Sequence, residues 1–437
     1  MLKKLLFLLV VSLLTTSVVF SQVTTSSITG TVKTASGESL EGATVTAVHT
    51  PSNTTYSTLS KKGGNFTLPS LRIGGPYTLT INYVGQTSQT LPDIFLTLGE
   101  PFNANVVMGE ATQQMTGVVV SASRRRQPDR TGASTNISRE QLTTLPTLTR
   151  SITDFTRLTP QSNGTNFGGR DGRYNNTVVD GANLNNNFGL SDGLLPGGGT
   201  TASPISLDAL DEISVNIAPF DVRQANFTGA GINAVTKSGT NTFHGSVYGY
   251  YRDQSFNGTK IRGNKLTGIT PTKNTIFGAT LGGPIIKDKV FFFISGETEK
   301  RSNPPSQVWT PTGGSGAGNT SAVHIDSLRK FSEYLKSAYG YETGRYDFVP
   351  NFDANNRKLL AKIDWNINKT HKLTAKYSDF ESTNGVQLNA TSLSFFGGTY
   401  TVRNGTGTST ISGAMPNARV GQNALSFENS NYGFRDV

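Results

Sequence analysis

Residues 229–253 read GAGINAVTKSGTNTFHGSVYGYYRD, and the character of this stretch changes halfway. Its first half is small, glycine-rich and weakly polar. From Phe243 onward, every second residue is apolar, aromatic or glycine. Such alternation places one set of side chains on each face of a β-strand. The stretch therefore predicts the end of one domain and the beginning of a sheet that has one apolar face.

Two later segments repeat the alternation more clearly, LLAKIDWNI at 359–367 and KLTAKYS at 372–378. A soluble β-sandwich also alternates, so the pattern alone leaves the class of sheet open. For the first segment we expect the apolar side chains to face lipid and the polar ones to face inward. The predicted lipid face is Leu359, Ala361, Ile363, Trp365 and Ile367, and the predicted inner face is Lys362, Asp364 and Asn366.

The lengths of the connections between these strands favour a membrane barrel. Strands near 276–283 and 289–298 are joined by a short turn, as are those that meet at 368–370, whereas the connections 253–274 and 299–357 are long. Short and long connections alternate in outer-membrane barrels. We count five strands and a sixth that starts near Ala424. Since an open barrel edge is costly in lipid, we expect the chain to be an N-terminal fragment of a longer protein.

The N-terminus predicts export from the cytoplasm. Lys3 and Lys4 precede an apolar run from Leu5 to Phe20, and residues 1–22 fit a cleaved signal peptide. A membrane anchor is the alternative. The 437-residue chain has no cysteine, which excludes disulfides and thiolate metal sites, and its net charge of +10 is scattered rather than clustered. We therefore expect no nucleic-acid partner.

Between the signal and the alternating strands lie two further domains. Residues 23–108 carry short alternating strands separated by Gly and Pro turns, which predicts a β-sandwich. Residues 125–240 mix helical and strand patterns. Ser138 and Gln141 have the spacing of a capping box. Four apolar residues then recur at helical spacing, and short strands follow at 177–181, 213–218 and 232–239; the four residues are Leu148, Ile152, Phe155 and Leu158.

Several motifs carry a family resemblance. The stretch GTVKTASGESLEGATV at 30–45 resembles the carboxypeptidase-regulatory-like domain, an Ig-like or transthyretin-like sandwich. MTGVVVSASRRR at 115–126 resembles a TonB box with its linker. LPTLTRSITDFTRLTP and GGRDGRYNNTVVDGANLNNNFG resemble parts of a receptor plug, and LGGPIIKDKVFFFISGETE resembles an early barrel hairpin. Together these motifs resemble TonB-dependent outer-membrane receptors of the Oar-like subgroup.

The resemblance implies a mostly β fold: a sandwich, an α+β plug domain and the first strands of an incomplete transmembrane barrel. It implies an outer-membrane location, transport of a ligand with energy relayed by the inner-membrane TonB complex, and contact with outer-membrane lipid. The ligand (an iron chelate, vitamin, glycan or peptide) and any lipoprotein partner stay open. The expected boundaries are a signal at 1–22, a sandwich at 23–108, a linker with the TonB box at 109–124, a plug at 125–240 and a partial barrel at 241–437.

Two sets of site residues follow from this resemblance. The TonB box is Gly117, Val118, Val119, Val120 and Ser121; alternatively, its valines add a strand to the sandwich or the plug. The expected ligand contacts are Arg170, Arg173, Asn175, Asn176, Asn183 and Asn185, unless these side chains bond only to their own loops.

No catalytic constellation is visible in the sequence. The four histidines lie far apart and lack metal-ligand spacing. We expect no enzyme activity, no metal and no cofactor. An outer-membrane surface adhesin or matrix protein without transport remains the alternative function.

Overall fold

The computed structural model describes residues 24–109, 133–185, 195, 202–219, 224–265, 272–303, 308–310, 320–342, 352–368, 371–387, 399–404, 407–412 and 427–436. The predicted signal peptide and the predicted TonB box, Gly117–Ser121, lie outside the described residues. Among the described residues, no helix combines the length and the apolar character needed to cross a membrane.

Residues 24–109, here called the sandwich, form two facing sheets. The first has the order β4-β1-β7, with β8 also paired to β1, and the second has the order β3-β2-β5-β6. Alternate residues point into one shared core that includes Ile28, Val45 and Leu79. The strands are β1 (Ser26–Thr34), β2 (Thr44–His49), β3 (Thr54–Leu59), β4 (Asn65–Leu71), β5 (Gly74–Asn82), β6 (Gln89–Leu96), β7 (Pro101–Asn103) and β8 (Val106–Met108).

The described part of residues 133–240, here called the inner domain, is α+β. Its sheet has the order β11-β10-β13-β12-β9, in which β10 and β13 are parallel. Every residue of β13 is buried, so both faces of the sheet are covered at its centre. The elements are β9 (Ala133–Ile137), α1 (Arg139–Thr144), α2 (Ile152–Thr156), β10 (Asn176–Val179), β11 (Ala182–Asn183), β12 (Leu210–Ile217) and β13 (Ala230–Thr236).

The two predicted helices of the inner domain have different outcomes. The capping box is confirmed, because Ser138 begins α1 and its backbone N–H donates to Gln141 Oε1 at 3.0 Å. The helical spacing from Leu148 to Leu158 overestimates the second helix, which covers only Ile152–Thr156. Arg150 has a positive φ of 51°, outside the right-handed helical region, and α2 therefore begins only after it.

The third unit is a meander of long strands, here called the wall sheet. Its order is β14-β17-β18-β21-β22-β25, with antiparallel pairing throughout. The elements of this region are β14 (His244–Asp253), β15 (Lys260–Ile261), β16 (Asn264–Lys265), β17 (Lys273–Ile286), β18 (Val290–Asn303), β19 (Val308–Thr310), β20 (Thr320–His324), α3 (Ile325–Tyr339), β21 (Phe352–Asn366), β22 (Lys372–Gln387), β23 (Thr399–Asn404), β24 (Gly407–Ser412) and β25 (Phe427–Asp436).

Short and long connections alternate in the wall sheet as predicted. Three residues separate β17 from β18, and five separate β21 from β22, whereas the other connections are much longer. The short turns lie together at one end of the sheet, here called the short-turn end. Within the described residues the sheet is open, with β14 and β25 at its edges. The predicted fold class is confirmed: mostly β, with a sandwich, an α+β domain and an incomplete barrel.

The two faces of the wall sheet differ in exposure. On β21, the outward residues Ile363 and Trp365 are each 45% exposed, whereas Lys362, which directly precedes Ile363, is 7% exposed. The same parity holds on β18, where Ile294 is exposed and Phe293 is buried. The inward side chains Phe293 and Leu360 belong to the hydrophobic core of the inner domain. The inner domain therefore packs against one face of the wall sheet, and the other face presents an apolar surface.

Candidate functional site at the junction of inner domain and wall

A buried carboxylate on β18 is the centre of the junction. Glu297 is 3% exposed, and its Oε1 accepts a hydrogen bond from Lys358 Nζ of β21 at 2.6 Å. Its Oε2 accepts from Ser206 of the inner domain and from Tyr248 of β14, both at 2.8 Å. Because burial makes an unpaired charge costly, Glu297 needs these partners, of which Lys358 and Tyr248 belong to the wall and Ser206 belongs to the inner domain.

A glycine on β17 makes room for the tyrosine of this cluster. Gly278 pairs with Tyr248 across the two strands. A Cβ placed on Gly278 would lie 2.4 Å from the Tyr248 ring, far inside van der Waals contact. The tyrosine therefore lies across the glycine, and its hydroxyl contacts both Glu297 and Ser206, the latter at 2.7 Å. Any larger residue at this position would displace the ring.

An arginine of the inner domain extends the junction along β14. Arg150, held in its positive-φ conformation, forms an ion pair with Asp208. Its guanidinium also lies 4.1 Å from the ring centroid of Tyr250 and 5.3 Å from that of Tyr248. This geometry fits a cation–π interaction. The inner domain thus contacts the wall through Arg150, whose counter-ion, Asp208, also belongs to the inner domain.

A second polar contact involves β13 and the aspartate of the TVVDG motif. Asp180 accepts from the backbone N–H of Thr236 at 2.9 Å and from its hydroxyl at 2.5 Å. Lys362 of the wall reaches the same group, with its Nζ 3.7 Å from Asp180 Oδ1 and 3.3 Å from Thr236 Oγ1. Beside it, Lys376 Nζ donates to the carbonyl of Val179 at 3.1 Å.

The predicted ligand contacts fall into two groups. Three of the asparagines hold their own loops. Asn175 donates to the Thr165 carbonyl and accepts from the Ala230 N–H, and Asn185 donates to Asn176 Oδ1 at 2.9 Å. The other three, Arg170, Arg173 and Asn183, are exposed, and Arg173 pairs with Asp171 at 3.1 Å. Contact with a ligand stays a prediction for all six residues.

The residues of the junction were not identified from the sequence as a site. Glu297 and Lys358 are separated by 61 residues, and Ser206 lies 91 residues before Glu297. The sequence carries little signal for them, because the outward neighbours of Glu297 are Gly296 and Thr298 and those of Lys358 are Arg357 and Leu359. In the part of the chain that the structure describes, no group of three or more potential metal-ligating side chains occurs.

Comparison with known proteins agrees with this architecture. A family model described as outer membrane beta barrel domain matches residues 235–431, and a carboxypeptidase regulatory-like domain matches residues 27–109. Over 154 residues the chain is 37% identical to the TonB-dependent transporter Oar of Myxococcus xanthus, a match that covers 33% of this chain and 14% of Oar.

Two solved structures with a similar fold are siderophore receptors named PirA. The Acinetobacter baumannii protein is 19% identical, with a TM-score of 0.37, and the match covers 58% of this chain and 32% of that one. The Pseudomonas aeruginosa protein is 14% identical, with a TM-score of 0.36, and the match covers 60% and 35% respectively.

The chain thus carries a region that matches an outer-membrane β-barrel domain and, before it, a carboxypeptidase regulatory-like domain. More particularly, the chain is a homologue of the TonB-dependent transporter Oar. The resemblance to TonB-dependent receptors of the Oar-like subgroup is confirmed, as is the outer-membrane location.

Proposed function

We propose that this protein is a TonB-dependent outer-membrane transporter, in which the inner domain is a plug that TonB displaces to let a ligand pass. The domain boundaries at 23–108, 109–124, 125–240 and 241–437 belong to this proposal. The inner-membrane TonB complex is the energy-coupling partner, and Gly117–Ser121 is the segment that it grips. The proposal assigns transport, and no catalysis, to the protein.

The junction around Glu297 is the observation that carries the proposal. A domain fixed permanently to the wall needs only apolar packing. Here the contact also contains a hydrogen bond from Ser206 of the inner domain to Glu297, a carboxylate that also accepts from Tyr248 and Lys358 of the wall. When the domain moves, water can replace polar partners of this kind. Separation then costs less free energy than it would if the polar groups were left without a hydrogen-bond partner. A movable plug requires such a contact.

The alternative function, a surface adhesin without transport, accounts less well for this junction. An adhesin needs exposed binding surfaces, and a separate domain fitted against the inward face of the wall adds nothing to them. The exposed side chains of Arg170, Arg173 and Asn183 remain our candidates for ligand contact. The chemical class of the ligand stays open among iron chelates, vitamins, glycans and peptides.

Binding of TonB tests the proposal directly. Strand addition relies on backbone hydrogen bonds, and proline removes one donor. We expect Val119→Pro to weaken binding of the purified periplasmic domain of TonB at least about tenfold, equivalent to about 1.4 kcal/mol. Val119→Ile, which keeps the β-branched shape, is the matched control. Equal affinity for the proline variant and the wild type would refute the assignment of Gly117–Ser121.

A further inference from the structure

The sandwich contacts both the inner domain and the wall through one of its ends. The contact residues come from the turn before β3, from β3 itself, and from the connections β4–β5 and β6–β7. All of their wall partners lie at or beside the short-turn end. Short turns face the periplasm in outer-membrane barrels. The sandwich therefore lies at the periplasmic mouth of the wall.

Its contacts with the inner domain combine a small apolar cluster with buried polar bonds. Ile73 and Leu98 of the sandwich pack with Val235 of β13. The backbone N–H of Leu98 donates to the buried Glu212 of β12 at 3.0 Å. Glu100 accepts a hydrogen bond from the Asn136 amide of β9. Three adjacent strands of the inner domain are thus in contact with the sandwich.

Its contacts with the wall are polar and involve three places. Arg72 forms an ion pair with Asp364 at 3.2 Å, and its guanidinium also reaches the carbonyl of Gly239, at the end of the inner domain, at 3.4 Å. Thr54 accepts a hydrogen bond from the Asn366 amide at 3.0 Å. Lys372 lies with its Nζ 3.1 Å from the ring centroid of Tyr56, and the carbonyl of Pro51 accepts from the Asn241 N–H at 2.9 Å.

These contacts bridge the boundary across which a plug has to move. Because the same end of the sandwich is bonded to β12 and β13 on one side and to β21 and β22 on the other, the inner domain cannot leave the wall towards this mouth without separating one set. We propose that the sandwich is a clamp that locks the inner domain in the wall and has to undock before the inner domain moves. The role of undocking in transport rests on the proposed function; the lock itself does not.

The position of the linker supports this proposal. Residues 110–132 connect the last strand of the sandwich to β9, the edge strand of the inner sheet. A force applied to this linker loads the sandwich and the inner domain at the same time. Among the contacts described between the sandwich and the inner domain, the hydrogen bond between Glu100 and Asn136 lies nearest to the linker in sequence. The contact surface consists mainly of separate polar bonds, which can break one after another.

The clamp can be tested without a ligand and without TonB. Residues 1–437 contain no cysteine, so Thr54→Cys with Asn366→Cys introduces the only two thiols in this part of the protein. The yield of cross-linking by a short bis-maleimide in the full protein, held in lipid nanodiscs, measures docking. Hydrogen–deuterium exchange of β13 in proteins without the thiols measures how firmly the inner domain is held.

The perturbing variant is Arg72→Ala combined with Leu98→Ala, and the control is Lys62→Ala, which removes an exposed charge from the same sandwich. We expect the perturbing variant to lower the cross-linking yield at least twofold and to raise β13 exchange about fivefold or more. Exchange in β5, at the core of the sandwich, should stay at its wild-type rate.

Either of two results would overturn the clamp. One is a loss of cross-linking while β13 exchanges at the wild-type rate, which would make the sandwich a tethered appendage. The other is a wild-type cross-linking yield in the perturbing variant, which would mean that the contacts described above do not hold the sandwich. If β5 exchange also rises, Arg72→Ala alone replaces the double variant, and the same criteria apply.

Discussion

The two faces of the wall sheet follow the same alternation but depend on different partners. Outward side chains such as Ile363 and Trp365 are exposed. Their apolar character suits contact with lipid and does not depend on a particular partner residue. Inward side chains such as Glu297 and Lys362 are buried against specific residues of the inner domain. The outward face therefore tolerates any apolar residue, whereas the inward face needs particular groups at particular positions.

Removal of the central carboxylate should have the largest effect. Glu297→Ala leaves Lys358 buried without its anion, and breaking a buried pair in this way costs about 3–5 kcal/mol. The double variant Glu297→Met, Lys358→Met removes both charges and should recover much of that loss. Urea unfolding of the inner domain, followed by exchange of β13, provides the measurement. A double variant that is no more stable than the single one would contradict the ion-pair account.

A charge on the outward face should have a slightly smaller effect. Ile363→Arg places a guanidinium at a lipid-facing site three residues from the short-turn end of β21, where the cost lies between the about 2–4 kcal/mol of the midplane and the about 0–1 kcal/mol of the interface. Asp364→Arg, one residue later and on the inward face, should disturb assembly much less, although it replaces the ion pair with Arg72 by a contact between two like charges. Assembly is measured from the heat-modifiable fraction of the full-length protein in outer membranes. Equal damage from both variants would refute the assignment of the faces.

The contact between sandwich and inner domain contains a buried carboxyl group without a bonded cation, Glu212. The titration of this group should have a smaller effect than either of the substitutions above. The pKa of Glu212 is raised from 4.5 to about 7, mainly by burial; the Leu98 N–H opposes this rise, and the nearby carboxylates of Asp211 and Glu100 contribute to it. Arg139 and Lys237 also lie near, but they face Asp211. Since the docked state holds this proton more tightly than a solvated glutamate does, docking should weaken as pH rises from about 4.5 to 7 and stay constant above.

The change across this window should be about 1–3 kcal/mol, because part of the burial persists after undocking. Glu212→Gln keeps an acceptor for the Leu98 N–H without the charge, so it should dock more tightly than the wild type at pH 8 and equally at pH 4.5. Dividing the cross-linking yield of Glu212→Gln by that of the wild type at each pH cancels the pH dependence of the thiol chemistry, which is common to both proteins. A ratio that does not change with pH would exclude titration of Glu212.

Sequence predicted the outward face well and the junction poorly, for a physical reason. The outward face depends only on period-two alternation, which is local, so the segment 359–367 was sufficient to predict which of its side chains are exposed. The capping box at Ser138 is local as well. The junction combines Arg150, Ser206 and Glu297, whose proximity depends on how one domain packs inside another. The alternation showed that Lys362 faces inward, but nothing near it in the sequence indicates Asp180 as its partner.

Two sandwich strands show little of the alternation from which a strand is predicted. β3 and β6 carry mostly polar residues on their outer positions, and Pro92 and Asp93 interrupt β6. Asp93 has a positive φ of 58°, which is typical of a turn rather than a strand. Pairing with β2 and β5 maintains the extended conformation of these two segments. Such pairing is a tertiary effect that the local pattern does not reveal.

Movement of the inner domain away from the wall in living cells tests the central claim most directly. Ser206→Cys provides the one thiol within residues 1–437; it is buried at the junction and is close to serine in shape. A maleimide can reach it only when the inner domain separates from Glu297. We expect labelling to be several-fold faster in cells with an active TonB complex than in cells without TonB, and Val119→Pro should reduce it to the lower rate. Equal labelling with and without TonB would contradict the account.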